Sequence, residues 1–218
     1  MDSNNRVLVI APHALDEMLG CGGTILKAKK AGVLVELIVM CGDGHGRDGE
    51  RRDANAIVSE RLGIRSVRFG GFPENRSDTI PLVDMVTEIE KAKREFLPDT
   101  VYVCHGDSLH IDHQKSFEAA MTALRPVPGS SVRNIFGYEI QSSTEWTPNT
   151  SSSFIPSRFV DISDTINEKI ELMALYGEEM RPEPHARSLK SSEYLARLRG
   201  ASVGVQAAEA FSVIRQIC

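Results

Sequence analysis

No run of Lys and Arg interleaved with aromatic residues occurs anywhere in the 218 residues, and the formal net charge is −5 with a pI near 5.7. Such a chain has nothing with which to track a phosphate backbone, so nucleic acid is not an expected partner. Also missing is any apolar stretch approaching the roughly 20 residues that a membrane span needs. The segment Met1 to Arg6 is polar rather than a basic and then apolar signal peptide. No membrane span and a cytoplasmic location are therefore expected. Cysteine is scarce: Cys21, Cys41, Cys104 and Cys218 are scattered, without CxxC spacing, and read as reduced thiols rather than a disulfide framework. Internal repeats and long low-complexity segments are absent too, which excludes solenoids and extended disorder.

What remains, with 41% hydrophobic residues, is enough to bury one sizeable core, and residues 1–218 read as a single α/β domain. Arg6 to Ala11 is a continuous apolar, β-branched run too short for a helix, as expected of a strand buried on both faces of a parallel sheet. A helical pattern follows from about Leu15 to Ala31, then a second buried strand from Val33 to Met40, ending in the turn-rich segment Cys41 to Gly46. Asp48 to Leu62 has helical spacing and stops at Gly63; Val67 to Phe69 is a short strand; Leu82 to Phe96 is an amphipathic helix ending before Pro98. Thr100 to Cys104 is another buried strand, and Ile111 to Leu124 another helix. Strands are expected at Ile135 to Ile140 and Phe159 to Asp161, a polar loop between them, and helices from Ser163 onward. This alternation predicts a Rossmann-like, mostly parallel sheet flanked by helices.

In such a sheet ligands bind beyond the carboxyl ends of the strands. Three of those ends carry chemistry: Pro12 to Glu17 after the first strand, Asp43 and His45 after the second, and His105 to His113 after the fourth. A catalytic zinc, or another divalent metal, wants three nitrogen or oxygen ligands and an open fourth position, a set that His13, Asp16 and His113 can supply. The cluster Gly20-Cys21-Gly22-Gly23 lies within the predicted helix rather than directly after a strand, so it does not form a dinucleotide-binding loop.

The segment Ala11-Pro12-His13-x-x-Asp16-Glu17-x-Leu19-Gly20-Cys21-Gly22-Gly23-Thr24 resembles the opening signature of the PIG-L-type, or LmbE-like, N-acetylglucosaminyl deacetylases. Gly106-Asp107-x-x-x-x-Asp112-His113 is similar to the second signature, Tyr138-Glu139-x-x-Ser142 to Trp146 to a third, and Arg199-Gly200 through Ala207 to Phe211 to the closing one. The resemblance implies the LmbE-like fold, zinc held by His13, Asp16 and His113, and hydrolysis of the acetyl group from an N-acetylated amino sugar, free or in a glycoconjugate. It also implies that His110 polarises the amide and protonates departing groups, that Asp112 is the neighbouring acid, that Arg51 binds sugar, and that His185 lines the substrate mouth.

One departure stands out. The family carries a general-base Asp where this chain has Leu15, and Ala14 replaces a proline. A positioned general base contributes about 10²- to 10⁴-fold, while zinc alone lowers the pKa of its water toward about 7. Two readings follow: an enzyme in which His110, oriented by Asp112, takes over base as well as acid duty, with Asp43 and Glu74 as weaker substitutes, or a sugar- or metal-binding relative impaired in turnover. The sequence leaves open whether chains assemble as a homo-oligomer.

Overall fold

The computed structural model describes residues 6–42, 46–148 and 154–218. Five strands, β1 (Arg6–Ala11), β2 (Leu34–Cys41), β3 (Ser66–Phe72), β4 (Thr100–Cys104) and β5 (Asn134–Tyr138), run parallel. Two more, β6 (Arg158–Asp161) and β7 (Ala208–Arg215), complete a seven-stranded sheet of order β3-β2-β1-β4-β5-β7-β6. The apolar run of β1 is central, as expected: Leu8 to Ala11 are at most 1% exposed, with β2 on one side and β4 on the other. Helices α1 (Asp16–Lys30), α2 (Gly46–Leu62), α3 (Leu82–Phe96), α4 (Ile111–Ala123), α5 (Ile166–Ala174) and α6 (Leu189–Ala201) flank the sheet. Helix α3 packs on α4, α1 packs on α2 and α5, and α5 packs on α6.

The far end of the chain differs from the helical expectation. Residues 208–215 form β7, inserted antiparallel between β5 and β6. Ala208, Glu209 and Ala210 favour a helix in isolation, but pairing on both sides and burial of Ala208 to Phe211 override that preference.

Helix α1 is kinked at Cys21, where the backbone leaves helical values (φ −145°, ψ 19°), and buried side chains from two other elements occupy the break. Glu209 of β7 accepts hydrogen bonds from the freed amides of Gly23 (2.8 Å) and Thr24 (2.7 Å). Lys169 of α5 donates to the Leu19 carbonyl (3.0 Å) and to Glu209 (2.7 Å). Amides at a helix start are a ready anion site; here the protein's own carboxylate fills it, in keeping with the exclusion of a phosphate loop. Gly20 is required for another reason, since a Cβ there would sit 2.1 Å from the ring of Tyr138. The Tyr138 hydroxyl donates to the Ile10 carbonyl (2.8 Å), fixing β5, β1 and α1 together. Among the described residues, no helix is long and apolar enough to cross a membrane.

Candidate metal centre and active site

The sheet order turns back on itself between β1 and β4, and the loops following these two strands meet above that point, where ligands bind in open α/β sheets. Pro12-His13-Ala14-Leu15 leads from β1 into α1, and the loop after β4 leads into α4 through His110. The turn at Leu15 is tight. Leu15 has φ 97°, a left-handed value that costs a non-glycine residue roughly 1–3 kcal/mol, and its side chain is buried. Glu17 holds the turn: its Oε2 accepts the Leu15 amide (3.0 Å), and its Oε1 accepts from Asn55 (2.8 Å) and the Tyr176 hydroxyl (2.7 Å). Burial raises the Glu17 pKa to about 7 against the pull of the Tyr176 hydrogen bond.

The turn brings His13, Asp16 and His113 together, all buried, with one donor atom from each lying within 4.8 Å of the others. Asp16 Oδ2 is 3.2 Å from His13 Nδ1 and 3.5 Å from His113 Nε2. Ligands about 2.0–2.1 Å from a tetrahedral zinc are roughly 3.3 Å apart, so these separations suit one shared cation. The atoms behind the ligands suit it as well. His13 Nε2 lies 2.9 Å from Asp112 Oδ2, leaving Nδ1 to face Asp16, and His113 Nδ1 lies 3.2 Å from the Ser108 hydroxyl and 3.3 Å from that of Ser143, leaving Nε2 to face Asp16. Metal-binding histidines are oriented in this way by partners on the ring's other nitrogen.

A second set, His13, Cys41 and Asp112, is also within reach of one ion. It is chemically poorer. Burial pushes the Cys41 thiol up to about 12, and the Asp112 carboxylate is already taken by His13, the amides of Asn75 (2.7 Å) and Ser77 (3.2 Å), and the Ser77 hydroxyl.

Electrostatics point the same way. Burial works against a charge on His13, yet its hydrogen bonds to Asp112 and Asp16, with the coulombic pull of Asp16 and Glu74, raise its pKa to about 9. Burial lowers that of His113 to about 3, Asp16 opposing it. Burial would raise Asp16, but His113 and His13 outweigh it and hold the carboxyl well below its usual range. The centre thus demands positive charge, which His13 carries in the protein alone. A dication meets the same demand and leaves both imidazoles neutral as ligands.

The other expected site residues divide. His110 borders the same cavity of about 310 Å³, stacked on His113 (centroids 4.7 Å apart) and edge-on to His13 (4.8 Å). Its Nδ1 accepts the Asp112 backbone amide (3.2 Å), so in the neutral ring the proton sits on Nε2. The expectation that the Asp112 carboxylate orients His110 is therefore corrected: that carboxylate is fully buried behind His13, 3.9 Å from His110 Nδ1, and the main chain of Asp112 does the orienting. Arg51 lines the cavity, gripped in a bidentate pair by Glu74 (3.0 and 2.6 Å). This clamp outweighs burial and lowers the Glu74 pKa, which makes Glu74 a poor base.

His185 is not among the described residues lining the cavity; it accepts the Arg187 amide (3.0 Å) and stands edge-on to Trp146 (5.7 Å). Its loop neighbours Arg181 and Arg187 line the wall instead, with Asn75 and Glu179, none of which the sequence reading had singled out. No periodicity or strand-end position marks these four. Asp43 and His45 lie outside the described residues.

Comparison with known proteins accords with this geometry. The uncharacterized deacetylase YaiS of Escherichia coli (strain K12) is 28% identical over 165 residues, covering 72% of this chain and 82% of that protein. The N,N'-diacetylchitobiose deacetylase of Pyrococcus horikoshii superposes with a TM-score of 0.78 at 21% identity, over 97% of this chain and 84% of that one. GalB, the 4-carboxy-2-hydroxymuconate hydratase of Pseudomonas putida KT2440, superposes with a TM-score of 0.73 at 16% identity, over 98% and 97%. At these identities the two structures establish the fold alone, and the fold hosts more than one chemistry. The family model described as PIG-L, GlcNAc-PI de-N-acetylase, matches residues 8–124. With more than half its length matched, through both loops that build the centre, the chain belongs to the PIG-L family.

Proposed function

We propose that the chain is a metal-dependent amide hydrolase, with zinc as the first-choice metal, which removes the acetyl group from an N-acetylated amino sugar, free or conjugated, to give an amine and acetate. The observation that carries this reading is the triangle of His13, Asp16 and His113 with each imidazole backed on its far nitrogen. A bound divalent cation supplies Lewis acidity there, polarising the amide carbonyl and lowering the pKa of a water toward about 7. The P. horikoshii relative deacetylates an acetylated sugar, and the E. coli relative is named a deacetylase. Both names support the class of reaction. The buried free thiols Cys21, Cys41 and Cys104 accord with a cytosolic setting.

His110 is the catalytic residue of this reading, and its tautomer defines its part. With Nδ1 occupied by the Asp112 amide, Nε2–H is a donor, suited to hydrogen-bond the oxyanion that develops on the acetamide carbonyl. Burial and the neighbouring His13 lower its pKa. Asp112 acts one step back, through His13, as a positioning residue. Arg51 and Asn75 border the cavity where sugar hydroxyls would lie.

Leu15 supports a second reading, a relative that binds metal and sugar with little turnover. It lines the cavity at the general-base position, and each carboxylate among the described lining residues is engaged: Glu74 is clamped by Arg51, Glu179 is paired with Arg187 (3.5 Å), and Asp16 is within the candidate ligand set. The two readings part on one experiment. Metal content and acetate release are measured for the purified protein with N-acetylglucosamine, its nucleotide-linked form and related glycans, with and without Leu15→Asp. Release by the unaltered chain establishes the enzyme. Sugar binding without release, with release gained on Leu15→Asp, establishes the impaired relative, and absence of bound metal in both proteins defeats the two together.

A further inference from the structure

The segment between α5 and α6 folds back on itself, with the Arg181 amide donating to the Arg187 carbonyl (3.0 Å). The two arginines joined by this backbone hydrogen bond both line the cavity that His13 and Leu15 also line. Their surroundings differ. Arg187 is partly buried and fixed: Nε donates to the Ser142 hydroxyl (3.0 Å), Nη1 lies 3.5 Å from Glu179, and its charge is felt at Asp16. Arg51, which also lines the cavity, is neutralised by both oxygens of Glu74. Arg181 is exposed at the rim, and its guanidinium has no hydrogen bond or ion pair among the described residues. Two of the three cavity arginines are therefore matched to a carboxylate, and the third presents a planar five-donor fork to whatever enters.

A neutral sugar leaves that fork to water. A phosphate or carboxylate accepts two parallel N–H bonds from it, a geometry that Arg provides and Lys does not. We propose that Arg181, seconded by Arg187, forms an anion subsite, and that the amino sugar taken by this chain carries a phosphate or carboxylate on the part that projects away from the acetamide. The proposal rests on the deacetylase reading for the acetamide end alone; the anion subsite itself is a matter of binding.

The test uses the full-length, metal-loaded protein. N-acetylglucosamine is compared with its 1-phosphate, its 6-phosphate and a carboxylate-bearing ether derivative, by calorimetric binding and by acetate release, for the unaltered chain, Arg181→Ala and Arg181→Lys. The expected result is that at least one anionic sugar binds more tightly than the neutral one, that Arg181→Ala cuts this preference about 10- to 100-fold, and that Arg181→Lys restores part of it. Whether the phosphates or the carboxylate show the preference identifies the group that is read. Equal binding of neutral and anionic sugars overturns the subsite, and so does a preference that survives Arg181→Ala, because the anion is then held elsewhere, at the metal for instance. Failure of acetate release from every sugar overturns the deacetylase reading while the binding arm still decides the subsite.

Discussion

At the scale of single residues, position 15 is in tension with its surroundings. Leu is a poor residue for φ 97°, where Asp and Asn are better tolerated, and an apolar side chain there can neither take a proton nor orient a water. Glu17, braced by Asn55 and Tyr176, holds the turn in spite of this. Leu15→Asp restores a carboxylate at the cavity on a backbone already shaped for it, and the expected outcome is a rise in acetate release of about 10²- to 10⁴-fold at saturating metal. No rise, with metal still bound, would place the proton acceptor elsewhere. Asp112 yields a different prediction, because its carboxylate is spent on His13, Asn75 and Ser77 rather than on substrate. Asp112→Asn should weaken metal binding about 10- to 100-fold in a competition titration with a chelator, as loss of a ligand's backing partner does. An unchanged metal affinity with reduced turnover would return Asp112 to a direct catalytic part.

At the scale of elements, the kinked helix α1 shows how the centre is built. Its first half starts with Asp16 and Glu17 at the site, while its second half continues from a break at Cys21 that Glu209 and Lys169 bridge. Removing one member of a buried ion pair costs about 3–5 kcal/mol, and Glu209 also serves two helix amides. Glu209→Ala should lose that much in denaturant unfolding. A further change of Lys169→Met should recover only part of the loss, since the Gly23 and Thr24 amides stay unserved. Full recovery would reduce the interaction to charge pairing. The same helix explains one limit of sequence reading: Gly20 and Gly23 mark close packing against Tyr138 and Ile162, partners more than a hundred residues away. Strand β7 escaped for a related reason. Ala-Glu-Ala carries no strand signal of its own, and its place is dictated by β5 and β6 on either side.

At the scale of the whole molecule, the parallel core and the convergence of His13, Asp16 and His113 were legible because both follow from local patterns. Continuous apolar runs became β1, β2 and β4, and the residues just beyond β1 and β4 had to converge at the point where the strand order reverses. Beyond Arg51 and His110, the cavity wall was not legible. Arg181 and Arg187 owe their places to a loop closure between α5 and α6 and to pairing with Ser142 and Glu179, contacts that no spacing announces, and so His185 stood out in the sequence where its neighbours line the site. The Asp112 carboxylate likewise turned to His13, a residue 99 positions away, rather than to its near neighbour His110. Because the centre joins the loop after β1 to the start of α4, metal binding should stabilise the fold as a whole. At free metal about 100 times Kd the gain is about 2.7 kcal/mol, and for a chain of this size stripping the metal should lower Tm by roughly 5–10 °C, with recovery when zinc is returned.

The most direct test is the metal content of the unaltered chain beside that of His113→Ala, each purified folded and dialysed against the same trace of zinc. About one equivalent is expected in the first and a small fraction of that in the second, with matching circular dichroism. Equal occupancy in the two proteins would contradict that expectation, for the cation would then be held without the imidazole that α4 contributes.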